Sequence, residues 1–522
     1  MKWKSFALVA LSALVTSLSR LPLYTGWMVM FAMIPLLRFF EQSERSPKEL
    51  AIAATLYSAF YIPLLMYWIV LVTPVGLVGI FVLYSWYFFL AFYAIALIYK
   101  YLPRYRYLGF ASVMLALEYI QNYGELRFPW LNLAYSLADY TSLMQFADFG
   151  GVIGLSALII IVNVLLLKIW QHRTSFRAYS YFGWLMILLG VWQLYGSLCL
   201  KLIRLDKSDP KIFVMQPSIE QEDKWDTDYF NSILSINREL TIKAAKDSAA
   251  LIIWPEAAMP TYMMHNPAHL GFVQNLASLY GISIFTGFPD YRLASFTDSK
   301  RDEYYNSATL IKPLSAPEKS YHKIILVPVG ERIPWLKYIP ILWKLQFGQA
   351  NWEYGKEVRL YEHQGESFAP SICYEIAFAD LHHVMSGGKA QATQSYSKTD
   401  FLVNLTNDAW FGTSYGPWLH AVHTRFRAIE NRIQIYRSAN TGISMIVDPL
   451  GRVISKAPLF TRTNIHAPLY KTPYIPPIRK FYMYPIGIVL AAIILTLRAI
   501  ANKYRAHTMN RTHDLSEKEA VR

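Results

Sequence analysis

Apolar runs at or near the length needed to cross a bilayer recur along this chain, and no other feature narrows its possible folds so far. They lie at Phe6 to Leu18, Tyr24 to Phe40, Leu50 to Val72, Gly76 to Tyr99, Gly150 to Trp170, Tyr181 to Leu202 and Tyr482 to Ile500. Leu108 to Ile120 is weaker because it carries Glu118, yet counting it gives about eight spans and lets the flanking charges alternate. A hydrophobic fraction of 54% against 16% charged residues is also too apolar for an ordinary pair of soluble domains.

With that count, Lys2 and Lys4, then Arg38, Arg45 and Lys48, then Lys100, Arg104 and Arg106, then Lys168, Arg173 and Arg177 fall on one side, joined by Arg498, Lys503 and Arg505. The opposite loops hold little beyond Arg20 and Arg127. Cytoplasmic loops are the ones enriched in Lys and Arg, so both termini are expected inside and the segment between Leu205 and Lys480 outside. The formal charge of +14 is thereby explained by topology. It does not call for nucleic acid, because the cations form no basic face interleaved with stacking aromatics. A start of Met1-Lys2-Trp3-Lys4 could also introduce a cleaved signal peptide, whose loss would leave the later spans oriented as before. The expected division is residues 1–204 for seven transmembrane helices, 205–480 for an outer catalytic domain, 481–500 for a final span and 501–522 for a cytoplasmic tail.

Between Leu205 and Lys480 short β-type runs alternate with helical stretches: Lys211 to Met215, Leu251 to Trp254, Ser283 to Gly287, Ser307 to Ile311, Ile324 to Val329, Phe368 to Ile372 and Phe401 to Leu405. Tyr229, Ile233, Ile236 and Leu240 have helical spacing and mark a helix between two strands. Alternation of this kind predicts one α/β domain with a covered sheet. Gly387 to Lys398 reads as a flexible insertion.

Only two cysteines occur, Cys199 inside an apolar run and Cys373. No disulfide framework or cysteine-rich zinc site can be built from them, and no His-Glu-x-x-His pair exists, so neither metal nor cofactor is expected. Three polar residues stand beside strand-like runs: Glu256 in Leu-Ile-Ile-Trp-Pro-Glu, Lys323 in Tyr-His-Lys-Ile-Ile-Leu-Val-Pro and Cys373 in Ser-Ile-Cys-Tyr-Glu. Strand ends converge at a sheet's edge, and a carboxylate base with a nearby ammonium is what a weakly ionised thiol needs to become a nucleophile. A helix opening at Cys373 would add its dipole in favour of the thiolate. Against this stand the ordinary roles of such residues: a lone Cys as small core filler, Glu256 as a helix-start carboxylate and Lys323 as a surface charge.

The strings Phe128-Pro129-Trp130-Leu131, Asp148-Phe149-Gly150-Gly151, Trp254-Pro255-Glu256, Lys323 through Pro328 to Gly330-Glu331, Cys373-Tyr374-Glu375 and Asn407-Asp408-Ala409-Trp410-Phe411-Gly412 occur in an order and spacing that resembles the apolipoprotein N-acyltransferases, membrane-embedded members of the nitrilase superfamily. The resemblance implies an αββα sandwich on a helical transmembrane bundle. It implies Glu256 as general base, Cys373 as nucleophile and Lys323 as stabiliser of the tetrahedral intermediate, with the Tyr374 amide as second oxyanion donor. Glu331 would orient Lys323, Glu375 belongs to the site motif, and Trp225, Asn306, Trp410 and Glu430 are associated with the shape of the site. The implied reaction moves the sn-1 acyl chain of a phospholipid to Cys373 and then to the α-amino group of an S-diacylglyceryl-cysteine on a lipoprotein. That places a monomeric chain in a bacterial inner membrane with its catalytic domain in the periplasm. Trp335 to Phe347 could rest as an aromatic arm on the interface or pack in the core. Gly387 to Thr399 is longer than the family leads one to expect.

Two other enzymes fit parts of the sequence. Gly412-Thr413-Ser414-Tyr415-Gly416, with His420 and His423 nearby, has the spacing of a serine-hydrolase elbow, but Trp410-Phe411 and a glycine separate it from the preceding strand. A membrane-tethered amidase using the same Glu, Lys and Cys would hydrolyse a small amide, and would not require so many spans.

Overall fold

The computed structural model describes residues 2–42, 44–294, 301–344, 351–387 and 399–520. The insertion expected at 387–399 and the end of the 335–347 stretch therefore lie almost wholly and partly outside the described residues. Helices occupy all eight expected spans. They run Lys2–Leu18, Ile34–Gln42, Pro47–Met66, Pro74–Tyr101, Arg106–Ile120, Ala147–Gln171, Arg177–Leu202 and Tyr484–Ala520. Five of them, among the described residues, are individually long and apolar enough to cross a membrane. The second span is broken: a short turn at Gly26–Met28 and the helix Val29–Ala32 precede Ile34–Gln42. Pro35, with no N–H to give to the preceding turn, sits where a new helix begins. The next helix starts cleanly because the Ser46 hydroxyl accepts from the Glu49 N–H at 3.3 Å while the Glu49 carboxylate accepts from the Ser46 N–H at 2.9 Å.

In Pro74–Tyr101, Tyr84, Phe88, Phe92 and Ile95 are buried against neighbouring helices, whereas Val75, Val78, Val82, Trp86 and Leu90 are exposed. Arg177–Leu202 repeats this with Trp184, Ile187, Val191, Leu194 and Leu198 outward. Apolar stripes of that length are unfavourable in water, and hydrocarbon is the solvent that suits them.

The α/β domain is two six-stranded sheets packed face to face between helices. Across the first run Thr463–His466, Ile212–Gln216, Leu251–Ile253, Ser283–Arg292, Glu303–Ile311 and Tyr321–His322. Across the second run Val453–Lys456, Met445–Val447, Gln434–Ala439, Phe401–Thr406, Glu366–Ile372 and Tyr361–His363. The three strands beginning at 212, 251 and 283 are mutually parallel, as are those beginning at 366, 401 and 434. Parallel neighbours need crossovers, which are the helices Phe230–Lys246, Pro267–Tyr280, Ala379–Met385 and Gly416–Asn431. Period-two alternation sorts the core: Ile212 and Val214 face the second sheet, while Phe213 and Met215 meet Ile233, Ile236 and Leu240 of the first covering helix. The two sheets are also tied by the Ser438 hydroxyl, which donates to Met215 O at 2.8 Å.

The helical part and the α/β domain are locked by buried ions. Arg432 meets Asp148 at 2.6 Å with both side chains inaccessible, and its Nη1 donates to Gln145 Oε1 at 2.7 Å. Arg20, after the first helix, donates to the backbone oxygens of Trp130 and Asn132 at 2.8 and 2.9 Å, fixing the loop that carries Phe128 to Leu131.

Candidate active site

Parallel strands release their carboxyl ends at one edge, and the residues singled out above follow those ends. Glu256 comes three residues after Leu251–Ile253, and Cys373 directly after Glu366–Ile372. Lys323 follows the short strand Tyr321–His322. The turn bearing Glu256 lies against the neighbouring strand at Gly287, where a Cβ would come within 2.8 Å of the Ala257 nitrogen. Any larger residue there would push the carboxylate away. Glu256 is buried and accepts from Asn306 Nδ2 at 2.7 Å and from the Asn407 N–H at 2.8 Å.

Lys323 is fully enclosed, with Nζ 2.8 Å from Glu331 Oε1 and 3.8 Å from Glu256 Oε1. Burial alone would lower its pKa, but the Glu331 and Glu256 carboxylates outweigh that and hold the ammonium charged. Asn306 joins the group: its carbonyl accepts the Lys323 N–H at 2.8 Å while its amide also reaches Glu331 at 3.2 Å. The strand expected at Ile324 to Val329 does not form; only an isolated bridge links Pro328 and Arg332. Its N–H groups go to carboxylates instead of a neighbouring strand, those of Ile324 and Ile325 to Glu375 and that of Val327 to Glu331.

Cys373 has φ +51°, a conformation L side chains adopt only when their surroundings enforce it. Its carbonyl lies 3.4 Å from Asn404 Nδ2 and 3.2 Å from His420 Nε2, and His420 Nδ1 is 2.8 Å from Asp408. Arg437 backs the group by meeting Asp408 at 2.9 Å. It is this pairing that overcomes burial and holds the Asp408 carboxyl down to about 2. The helix expected to open at Cys373 is only a five-residue 3-10 turn, Cys373–Ala377. Such a turn supplies no useful macrodipole, and the expected bias towards thiolate is reversed: burial and the Glu256 carboxylate push the thiol well up, with Lys323 opposing them. The Tyr374 N–H opens this short turn, where the first backbone donors have no carbonyl of the turn to bond.

Glu375 spans from one partner to the other. Its Oε2 accepts the Ile372 N–H at 2.6 Å, and its Oε1 accepts those of Ile324 at 2.6 Å and Ile325 at 3.0 Å, with the Tyr321 hydroxyl 2.8 Å from Oε2. The residue before Cys373 and the two after Lys323 thus hang on one fully buried carboxylate, which burial raises to about 7 against those N–H groups. The membrane half supplies the adjoining wall. The Tyr374 hydroxyl donates to Arg127 O at 2.6 Å, and the Trp130 ring stacks on His420 with centroids 5.4 Å apart.

The remaining residues divide. Asn306 is in the cluster; Trp225 and Trp410 stand half-exposed rather than packed. Glu430 is not at the cluster: it accepts from the Val152 N–H at 3.1 Å, beside the helix irregularity at Gly151, and pairs with Arg427, which reaches Ala377 O at 3.2 Å. Ser414 donates to Phe411 O at 2.7 Å, and His420 turns to Cys373, so no Ser–His pair forms. Sequence reasoning missed Lys224, buried with Nζ 2.8 Å from Glu256 O and lowered to about 8 by that burial. It also missed Asn404 and the place of His420 beside Cys373.

A paired-sheet αββα sandwich with Glu, Lys and Cys at strand ends defines a nitrilase-type domain. Residues 212–469 accordingly match the carbon-nitrogen hydrolase family profile, and residues 12–165 match that of the apolipoprotein N-acyltransferase N-terminal domain. The Wigglesworthia glossinidia brevipalpis apolipoprotein N-acyltransferase is 30% identical over 372 residues, 69% of this chain and 68% of that one. The one from Chlorobaculum tepidum is 33% identical over 362 residues, 65% of this chain and 66% of that one. The chain belongs to the apolipoprotein N-acyltransferase family. The matched part spans just under two thirds of the Chlorobaculum relative. A nitrilase-superfamily structure from Saccharomyces cerevisiae aligns over 52% of this chain and 92% of its own at 17% identity and a TM-score of 0.38.

Proposed function

We propose that the chain is a phospholipid:apolipoprotein N-acyltransferase working through a thioester on Cys373. The observation that carries this reading is the cluster in which Glu256, Lys323 and Glu331 lie within hydrogen-bonding or ion-pairing reach beside a strained Cys373, walled by a loop from the membrane half. Glu256 takes the thiol proton as sulfur attacks the carbonyl carbon of the sn-1 ester. A base is needed there because burial keeps the resting thiol protonated. Lys323 and the Tyr374 N–H face the negative oxygen that develops, and the tetrahedral centre collapses as the leaving alkoxide recovers the proton from Glu256. The acceptor amine, once deprotonated, repeats the sequence on the thioester carbonyl and expels the thiol, giving an amide.

Both substrates are lipids, so the site belongs at a membrane face. We place both termini in the cytoplasm and residues 205–480 in the periplasm on the strength of the charge asymmetry, with the chain acting as a monomer in a bacterial inner membrane. Exposed Trp335, Tyr338, Ile339 and Ile341 suit an arm lying in the interface. A tethered amidase would have no use for a site walled by Trp130 and Arg127 from between two membrane helices. The test is incubation of purified protein with phospholipid labelled separately in its sn-1 and sn-2 chains and a synthetic S-diacylglyceryl-cysteinyl peptide. Transfer of the sn-1 label to the peptide amine is expected; release of label only as free fatty acid, with or without peptide, would refute it.

A further inference from the structure

A cavity of about 470 Å³ opens beside the cluster and is lined by Ser218, Glu220, Gln221, Glu222, Gly412 and Thr441 among others. Its wall is one hydrogen-bonded residue from the proposed base. Gln221 Oε1 accepts from Asn407 Nδ2 at 2.7 Å, and the Asn407 N–H holds Glu256 at 2.8 Å. The Thr441 hydroxyl in that lining is buried and has no hydrogen-bond partner among the described residues. A buried hydroxyl left unpaired is unfavourable, and a ligand bearing both donors and acceptors would satisfy it.

The charge at the rim is equally particular. Glu220 and Glu222 line the cavity, Asp223, Asp226 and Asp228 follow them in sequence, and the single cation of residues 220–228, Lys224, is turned inward onto Glu256 O. The chain as a whole carries +14, so this negative strip runs against its average. Arg462 also lines the cavity and sets one cation against these carboxylates, its Nε donating to Pro217 O at 3.2 Å. Carboxylates repel the phosphate of a lipid donor and attract a free ammonium, so the strip favours the second substrate over the first.

We propose that this cleft binds the polypeptide of the acceptor lipoprotein that follows its lipidated cysteine, cationic side chains near that end being drawn in by Glu220 and Glu222 and the peptide backbone pairing with Thr441. This inference rests on the acyltransferase reading, and the two halves of the reaction separate them. Full-length E220Q/E222Q and E220K/E222K proteins are loaded from phospholipid, acyl-Cys373 is quantified by mass spectrometry, and the loaded enzymes are titrated with S-diacylglyceryl-cysteinyl peptides whose next two residues are serine or lysine. Loading at the wild-type rate is expected, with the acceptor KM raised severalfold by the glutamine pair and at least about tenfold by the lysine pair. The effect should be larger for lysine peptides and shrink as salt is raised, as screening requires. An unchanged acceptor KM, or a defect in loading instead, would overturn the inference. Failure of the wild-type enzyme to load at all would instead remove the acyltransferase reading.

Discussion

Replacing Glu375 with glutamine changes neither size nor shape, and tests whether one carboxylate positions the nucleophile against the ammonium. Oε1 serves two N–H groups, Ile324 and Ile325, and Oε2 serves one, Ile372. A glutamine has one accepting oxygen, which will turn to the pair and leave its amide hydrogens facing the Ile372 N–H. One buried backbone donor is then unpaired, at a cost of about 1–3 kcal/mol, next to a Cys373 whose φ of +51° needs external support. If that cost is felt at the nucleophile, loading of Cys373 slows by about 5- to 150-fold while Glu256, Lys323 and Cys373 are all present. The assay is single-turnover acylation followed by intact-protein mass spectrometry, with thermal unfolding in detergent run alongside. A lowered Tm with loading at the wild-type rate would refute the positioning role; a wild-type Tm as well would refute the strut itself.

Ser414→Ala should leave acyl transfer within a factor of about two, while His420→Ala, which removes a partner from the Cys373 carbonyl, should slow loading about tenfold, a net hydrogen bond being worth roughly 1 kcal/mol or somewhat more. Arg432→Ala strands the buried Asp148 carboxylate, and unfolding measurements should register a loss of about 3–5 kcal/mol in the contact between the two halves. Burial raises both Glu375 and Glu430 to about 7, so between their unfolded value of 4.5 and that point the native state holds extra protons. Their contribution is therefore full below pH 4.5 and is lost as pH rises through 7, by at most about 3 kcal/mol each, and Glu430→Gln should flatten the fall in Tm across that window.

The spans were legible because length and apolarity are all a bilayer asks of a helix, and the sandwich because its parallel strands are apolar on both faces. What escaped notice was whatever depended on distant partners. Ile324 to Val329 has a strand's composition, but its N–H groups are claimed by Glu375 and Glu331, and Glu375 lies about fifty positions away. Lys224, set in an acidic run, has the look of a solvated charge until folding turns it onto Glu256. His420 stands out in sequence only by its nearness to Ser414, in an elbow whose context is wrong, whereas the fold presents it to Cys373. Trp130 belongs to a loop between membrane helices, and contacts distant in sequence bring that loop to the site, among them the Arg432–Asp148 ion pair, the anchor at Arg20 and the Tyr374 hydroxyl on Arg127 O. Glu256 and Cys373 could be found from strings that close a strand, Lys323 stood beside a run that forms no strand and instead follows Tyr321–His322, and Glu331 came only with the family resemblance.

The most direct test is the mass of Cys373 itself. Protein exposed to phospholipid without acceptor should gain one acyl chain at that cysteine, removable by neutral hydroxylamine and by added lipopeptide, and the gain should disappear in Cys373→Ala and fall steeply in Glu256→Gln. An acyl group that survives hydroxylamine, that maps to another residue, or that forms equally well without the Glu256 carboxylate would contradict the account.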